Sequence, residues 1–288
     1  MSTTTTANTR VTDQIVELST GTVFYRDSKA GGDPVVFLHA SYGNSMMWEH
    51  QIPAFTDAGY RFIAIDYRGV EGTPGAGDWS AQIDELLSGL GIERFHLAGT
   101  AGGGGAALQY ALTYPTKLRS LVIANSVGGV QDPAYTEMGN RLRPSPQFGH
   151  LPLDFRELGP SYRAANPAGA ARWLALAMAT GPASKGDRAG TAGAAGAHVP
   201  DGNPRALTGA FAISPDKALT WAKLEAMTVP TLLMTGDADL YTPPSVLRMF
   251  AAHMKHAQAV VIPETGHSSY WESPDVWNQA VLAFIRKH

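Results

Sequence analysis

Short apolar runs recur along the chain, and turn residues separate them. A short run of this kind is typical of a strand that is buried on both faces of a sheet. Six runs have this form: residues 35–38, 62–65, 95–98, 121–124, 231–234 and 260–262. Residues 14–18 and 22–25 flank a short turn and predict a hairpin of two edge strands. The pattern therefore predicts about eight strands in all.

Helical spacing of apolar residues fills the stretches between these runs, as at Ile83, Leu86 and Leu87. Strands that alternate with helices build a mostly parallel sheet with helices on both of its faces. The last helix has a clear predicted start, with Ser273 as its N-cap and Pro274 in its first turn. The sequence therefore predicts an α/β fold around one central sheet.

The alternation of strand and helix stops between residues 128 and 221, where helical pieces alternate with glycine, proline and alanine clusters. Residues 168–180 predict a helix, whereas residues 181–203 are so rich in glycine and alanine that we expect a mobile loop. An insertion of this kind can cover a site and shape substrate access. We therefore divide the chain into a first core segment (1–127), a helical cap (128–221) and a second core segment (222–288).

Charge and composition exclude several function classes. The chain has 22 Lys and Arg residues against 25 Asp and Glu residues, so its formal net charge of -3 gives no positive field for nucleic acid or an anionic membrane. It has no cysteine, which excludes disulfides, thiolate nucleophiles and cysteine zinc sites. The histidines show no metal-binding spacing. We therefore expect no metal and no cofactor, and a small-molecule substrate as the partner.

The chain start gives an expectation about location. The opening residues are polar and lack the apolar stretch of a signal peptide, and no later segment has 18 uninterrupted apolar residues. We therefore expect a cytoplasmic protein. The sequence leaves open whether the chain forms a homodimer.

A glycine-rich turn, Gly99-Thr100-Ala101-Gly102-Gly103, follows the third buried run and precedes a predicted helix. It resembles the nucleophile elbow G-x-S-x-G of the α/β-hydrolase fold family, with Ala101 at the nucleophile position. The glycines are needed because the sharp turn leaves no room for side chains. A phosphate loop is disfavoured because no Gly-Lys-Ser/Thr follows. A dinucleotide site is disfavoured because no acidic residue stands about 20 positions further on.

A second stretch, His39-Ala40-Ser41, follows the first buried run. It resembles the family loop that contributes one amide of the oxyanion hole, although Ala40 replaces the usual glycine. The resemblance assigns the two oxyanion-hole amides to Ser41 and Gly102, the residue after the nucleophile position. His39 is interpreted as a structural histidine that braces the loop. The Asp-Tyr-Arg-Gly turn at 66–69 is also typical of the family.

The remaining two motifs supply an acid and a histidine. Asp239 lies four residues before Pro243 and matches the family's acid turn, while Asp237 is interpreted as a residue that holds the turn. The sequence alone leaves open which of the two carboxylates faces the histidine. Gly266-His267 follows the last strand and matches the catalytic histidine. The elbow, the acid and the histidine thus occur in the chain order of the family.

The resemblance implies an α/β-hydrolase fold with a helical cap inserted after strand 6, and hydrolysis by a nucleophile, a histidine and an acid. With serine at position 101, His267 would take its proton and Asp239 would orient the imidazole. The amides of Ser41 and Gly102 would hold the oxyanion. Because Ala101 has no oxygen with which to attack, this copy is predicted to be inactive.

Three explanations for Ala101 stay open: a deliberate Ser-to-Ala change, a natural non-catalytic relative, or a nucleophile elsewhere. We favour the first because the remaining motifs are all intact. Thr100 is a poor substitute nucleophile because the residue before the apex of the elbow should point into the fold. The parent nucleophile could also have been aspartate, although the Gly-Thr-x-Gly-Gly context resembles the serine branch.

The cap resembles those of esterases and of hydrolases that cleave carbon–carbon bonds in ring-fission products. It offers Trp173 and Phe211 as apolar walls, and Arg163 or Arg172 as a forked partner for a substrate carboxylate. Ring-fission hydrolases commonly carry Trp after the catalytic histidine, whereas this chain has Ser268, which we include among the candidate substrate-binding residues.

We therefore predict a serine hydrolase that cleaves a carboxylic ester of a small to medium, aromatic substrate, such as a phthalate monoester. Two alternatives stay open at this point. One is a hydrolase that cleaves carbon–carbon bonds in ring-fission products. The other is a protein that binds ligands in a hydrolase pocket without turning them over.

Overall fold

The computed structural model describes residues 10–66, 79–126, 129–179 and 218–288. Three sequence predictions lie wholly or partly outside these ranges. They are the mobile loop at 181–203, the wall residue Phe211, and the family turn at 66–69, of which only Asp66 is described.

The strands are β1 (Thr12–Leu18), β2 (Gly21–Asp27), β3 (Pro34–Leu38), β4 (Arg61–Asp66), β5 (Phe95–Thr100), β6 (Leu118–Ala124), β7 (Thr231–Gly236) and β8 (Ala257–Ile262). Within the described residues, these eight strands form one sheet in the order β1-β2-β4-β3-β5-β6-β7-β8. The pairs β1–β2 and β2–β4 are antiparallel, and all other neighbours are parallel. This confirms the predicted sheet. Only β1 of the predicted hairpin is an edge strand, however, because β2 also pairs with β4.

The helices are α1 (Gln51–Asp57), α2 (Trp79–Gly89), α3 (Gly102–Thr113), α4 (Pro133–Leu142), α5 (Leu153–Glu157), α6 (Pro160–Ala165), α7 (Pro167–Ala177), α8 (Trp221–Ala226), α9 (Pro244–His253), α10 (Ser269–Glu272) and α11 (Pro274–Ile285). In the part of the chain that the structure describes, none of the helices has the length and apolar character needed to cross a bilayer. Helices α4 to α7, here called the cap helices, follow β6 directly. The division of the chain into three segments stays a prediction.

Apolar side chains cover both faces of the sheet, as period-2 alternation requires. In β3, Val36 packs in a buried cluster with residues of α2, α3 and α9. Its neighbours Val35 and Phe37 pack in a second cluster with residues of α1 and α11. The short apolar runs of the sequence are therefore strands buried on both sides, which is why they show no alternation of polar and apolar residues.

The parallel strands bring four loops to one edge of the sheet. Gly99 of β5 pairs with Leu38 of β3, and Thr100 pairs with Ala124 of β6. Gly236 at the end of β7 pairs with Ile262 at the end of β8. Because parallel strands all end at the same side, the chain segments that follow β3, β5, β7 and β8 all start at this edge.

Ser273 precedes α11, as the sequence predicts, but its side chain does not cap the helix. Its hydroxyl instead lies 3.0 Å from the hydroxyl of Thr265, in the loop after β8. The hydroxyl therefore links the last helix to that loop.

Candidate active site

The turn between β5 and α3 is tight and strained at Ala101. The φ and ψ angles of Ala101 are 49° and -117°, in a region that L-residues rarely adopt. Such a backbone costs on the order of 1–3 kcal/mol and persists only where the surrounding structure enforces it. Here the Ala101 N–H donates to the carbonyl of Ala124 at 2.9 Å, and the Ala101 carbonyl accepts from the N–H of Gly105 at 3.2 Å. Thr100 is buried, so its hydroxyl lies inside the fold.

Glycines around Ala101 allow neighbouring backbone segments to approach closely. A Cβ atom on Gly103 would lie 2.2 Å from the Leu38 carbonyl oxygen and 2.4 Å from that of His39. A Cβ atom on Gly102 would lie 2.3 Å from the hydroxyl and 3.2 Å from the backbone nitrogen of Ser41. The structure therefore brings Ser41 and Gly102, the two predicted oxyanion-hole residues, next to each other. His39 turns its Nδ1 to the carbonyl of Ala40 at 2.7 Å.

Asp239 lies against His267 in a buried pair. The imidazole Nδ1 is 2.9 Å from Oδ1 and 3.0 Å from Oδ2 of the carboxylate. Asp237 instead accepts from the N–H of Thr265 at 3.3 Å, within the turn that the two loops form. The geometry therefore makes Asp239 the carboxylate that faces the imidazole.

Five further hydrogen bonds hold the Asp239 carboxylate. Oδ1 accepts from the backbone N–H of Tyr241 at 2.7 Å and from that of Thr242 at 3.0 Å. Oδ2 accepts from the hydroxyls of Thr242 and Thr235 at 2.6 Å and 3.1 Å. It also accepts from the side-chain amide of Asn125 at 3.0 Å. Because all of these are donors, the surroundings favour the ionised carboxylate.

The pKa values of the pair move apart. Burial alone would raise the pKa of Asp239, but the neighbouring His267 and the hydrogen bonds from Thr242 and Asn125 outweigh it and lower this pKa. Burial alone would lower the pKa of His267, but Asp239 and Glu157 outweigh it and raise this pKa. An imidazole held in this way accepts a proton readily at its free nitrogen.

Two residues beside His267 escaped the sequence analysis. The ring of Tyr241 packs on the imidazole, with centroids 4.2 Å apart. The Tyr241 hydroxyl donates to the buried carboxyl group of Glu157, the last residue of α5, whose pKa burial raises. Tyr241 lies two residues after Asp239, so its place in the acid turn was a usable signal. Glu157 lies in the irregular insertion, where no motif marks it.

Asn125, directly after β6, is a third residue that the sequence analysis missed. Besides Asp239, its amide reaches the carbonyl of Gly266 at 3.2 Å, and its carbonyl oxygen accepts from the hydroxyl of Ser269. Its backbone also has positive φ, 51°. A polar residue at the carboxyl end of a parallel strand was the available signal.

The predicted cap residues lie in varied surroundings. The Arg163 guanidinium stacks 4.5 Å from the ring of Phe155. Arg172 forms an ion pair with Glu49 at 3.0 Å. Trp173 is almost fully buried and packs with the core cluster of α1 and α11.

Ser268 is buried beside His267, and its N–H donates to the carbonyl of Glu157 at 3.0 Å. That contact ties the histidine loop to the cap helices. The substrate-binding roles of Arg163, Trp173 and Ser268 stay predictions.

Comparison with known proteins agrees with this architecture. A sequence profile described as alpha/beta hydrolase fold matches residues 33–274. A 2-hydroxy-6-oxononadienedioate/2-hydroxy-6-oxononatrienedioate hydrolase of a Pseudomonas species is 27% identical over 93% of this chain and 93% of its own length. A protein of Variovorax paradoxus, named as a candidate carbamate hydrolase, is 28% identical over 90% of this chain and 93% of its own. An esterase structure from Thermogutta terrifontis superposes with a TM-score of 0.72 at 22% identity, covering 96% of this chain and 98% of that one.

Proposed function

Because this chain belongs to the alpha/beta hydrolase fold family, we propose that its site is built to hydrolyse a carboxylic ester of a small to medium, aromatic compound. The observation that carries the proposal is the buried Asp239–His267 pair, which follows β7 and β8 at the edge where the strained turn at Ala101 also lies. A histidine and an acid in this arrangement activate an oxygen nucleophile for attack on a carbonyl carbon. We assign the position of that nucleophile to residue 101.

With serine at position 101, each residue has a defined task. The serine oxygen attacks the ester carbonyl while His267 takes its proton at Nε2, and Asp239 holds the Nδ1–H and stabilises the imidazolium. The backbone N–H groups of Ser41 and Gly102 donate to the oxyanion, each contributing roughly 3 kcal/mol. His267 then protonates the departing alcohol, and water cleaves the acyl-enzyme by the same steps in reverse order.

Ala101 removes the attacking oxygen and leaves the other groups in place. The methyl group is smaller than the serine side chain, so it adds no clash in the pocket. We therefore propose that this chain binds its ester and does not form an acyl intermediate. We continue to favour a serine-to-alanine change as the origin of Ala101, because the acid, the histidine and the oxyanion loop are all retained.

The experiment is the variant Ala101→Ser, assayed on a panel of aryl and alkyl carboxylic esters. We expect hydrolysis at least about a thousandfold faster than with the unchanged chain, because loss of a triad nucleophile typically costs far more than that. Mass spectrometry of the quenched reaction should show one acyl group on the serine. Ala101→Gly is the matched control, since it alters the same backbone position without adding an oxygen and should stay inactive.

A second candidate function rests on the 27% identity to the Pseudomonas hydrolase, which is named for substrates that are 2-hydroxy-6-oxo dicarboxylates. If the Ala101→Ser variant cleaves a diketone acid of the ring-fission type and cleaves no ester, the result favours this second candidate. A folded Ala101→Ser that turns over neither class, while the unchanged chain binds esters, would overturn the enzyme proposal in favour of a ligand-binding protein.

A further inference from the structure

Two arginines, Arg143 directly after α4 and Arg156 in α5, flank an aromatic pair next to the imidazole. Phe148 and Tyr241 meet edge to face, with ring centroids 5.0 Å apart. The guanidinium carbon of Arg143 lies 5.5 Å from the Tyr241 centroid, and that of Arg156 lies 5.9 Å from the Phe148 centroid. Because Tyr241 also packs on His267, the two arginines line the same corner of the site as the imidazole.

Neither guanidinium group is hydrogen-bonded to a carboxylate of the described residues. Within the described ranges, neither Arg143 nor Arg156 makes a side-chain hydrogen bond or an ion pair, and the Nε atom of each is buried. Arg61, by contrast, is paired with Asp27 at 2.6 Å. An unpaired, partly buried guanidinium is costly, and an anion that reaches it removes that cost.

The nearest carboxyl groups are engaged elsewhere. Asp239 is held by His267 and by its five other donors. Glu157 accepts from the Tyr241 hydroxyl, and burial raises its pKa although His267 and Arg156 oppose the rise. Burial likewise lowers the pKa of Arg143, against the favourable influence of Tyr135, Tyr241 and Asp239. Among the described residues, the donors of both guanidinium groups therefore have no hydrogen-bond acceptor.

We propose that Arg143 and Arg156 bind a free carboxylate of the substrate, so that the ester recognised here is the monoester of a dicarboxylic acid. A guanidinium binds a carboxylate through two parallel N–H donors. This contact fixes the orientation of the ligand and selects a ligand that carries a negative charge. Phe148, which is only half-buried, supplies apolar surface against which an aromatic ring can pack. This inference rests on the proposed function, because it names the substrate class of the same site.

Binding can be measured on the unchanged chain, because Ala101 prevents covalent turnover. The probes are monobenzyl phthalate and its primary amide analogue, which has the same shape and no charge. We expect calorimetry to show the acid bound at least about tenfold more tightly than the amide, since hydrogen bonds to charged groups are worth that much. Arg143→Gln and Arg156→Gln should each reduce affinity for the acid about tenfold or more and leave affinity for the amide nearly unchanged.

Arg26→Gln and Arg119→Gln are the matched controls, because both are arginines outside the cap helices whose guanidinium groups are paired, with Asp13 and Asp33. The proposal predicts that both controls keep the preference for the acid. If Arg143→Gln does not fold, Arg143→Lys keeps the charge but loses the fork and should weaken binding of the acid selectively. Equal binding of acid and amide, or a loss of preference in the controls instead, would overturn the proposal.

This outcome is separable from that of the hydrolase test. Preference for the acid together with an inactive Ala101→Ser would keep the carboxylate subsite and reject the hydrolase. Active Ala101→Ser without preference for the acid would do the reverse.

Discussion

The side-chain amide of Asn125 donates to Oδ2 of Asp239 at 3.0 Å. Asn125 is fully buried, and it also contacts Gly266 and Ser269 on either side of His267. It thus connects the end of β6 to both partners of the acid–histidine pair. Because it acts on the acid and does not face the reacting atoms, we interpret Asn125 as a positioning residue.

Replacing Asn125 with alanine should raise the pKa of Asp239, because the lost donor stabilises only the ionised carboxylate. The lowered pKa of Asp239 contributes stability that is present above its ordinary pKa of 3.8 and is lost as the pH falls through the lower, folded value. Asn125→Ala should therefore reduce the free energy of unfolding at pH 7 by about 1–3 kcal/mol. NMR titration of the Asp239 carboxyl carbon and urea unfolding at pH 7 measure the two effects.

Asn278→Ala is the matched control for Asn125→Ala. Asn278 is also buried and hydrogen-bonded, to Gln51 at 3.2 Å and to the carbonyl of His50 at 3.2 Å, but it does not contact Asp239. It should lose stability and leave the titration of Asp239 unchanged. An Asp239 titration that is the same in Asn125→Ala and in the unchanged chain would refute the positioning role.

Close contacts with neighbouring backbone atoms require glycine at position 103, whereas no such contact requires glycine at position 89. Alanine at position 103 would place a Cβ atom 2.2 Å from the carbonyl oxygen of Leu38, at the end of β3, and 2.4 Å from that of His39. We expect Gly103→Ala to lose about 3 kcal/mol of unfolding free energy or to fail to fold. Gly89, at the end of α2, has open space around its Cα, so Gly89→Ala should gain up to about 1 kcal/mol. Urea unfolding of both variants decides this, and a mild effect at position 103 would contradict it.

The sequence was sufficient for those parts of the site that local patterns determine. Strand β5 followed by a glycine run predicted the turn at Ala101, because only glycine tolerates such close backbone contacts. Parallel strand order then predicted that the segments carrying Asp239 and His267 would start at the same edge. Ser273 is the N-cap residue of α11, as predicted, but its hydroxyl contacts the hydroxyl of Thr265 and not a backbone N–H of the helix.

The residues that the sequence did not predict owe their places to tertiary contacts. Glu157 and Arg143 lie near His267 through tertiary contacts such as the hydrogen bond from the Ser268 N–H to the Glu157 carbonyl, and no motif in residues 129–179 predicts that arrangement. Asn125 reaches Asp239 across two strand ends, which are 114 residues apart in the chain. A local motif does not predict a contact between residues so far apart in the chain. The strand order predicts only that both residues lie at the same edge of the sheet.

The carboxylate of Glu272 accepts three backbone N–H groups, from Gly159 at 2.8 Å, Gly266 at 3.0 Å and Ser268 at 3.3 Å. Glu272 therefore holds the residues on both sides of His267 and links the loop that carries His267 to the start of α6. Burial raises the pKa of Glu272 to about 7, although those three hydrogen bonds oppose the rise.

Because the folded pKa of this acid is raised, its effect on stability is most favourable below the ordinary pKa of 4.5 and is lost as the pH rises to about 7. Protonation below pH 7 turns one acceptor into a donor. The amide proton shifts of Gly159 and Gly266 should therefore titrate with a midpoint near 7, and Glu272→Gln should abolish this titration. Repeating the measurement in His267→Gln separates it from titration of the imidazole, and Glu264→Gln, an exposed carboxylate of the same loop, should leave it unchanged. A midpoint near 4.5 in the unchanged chain would show that burial does not hold the proton on Glu272.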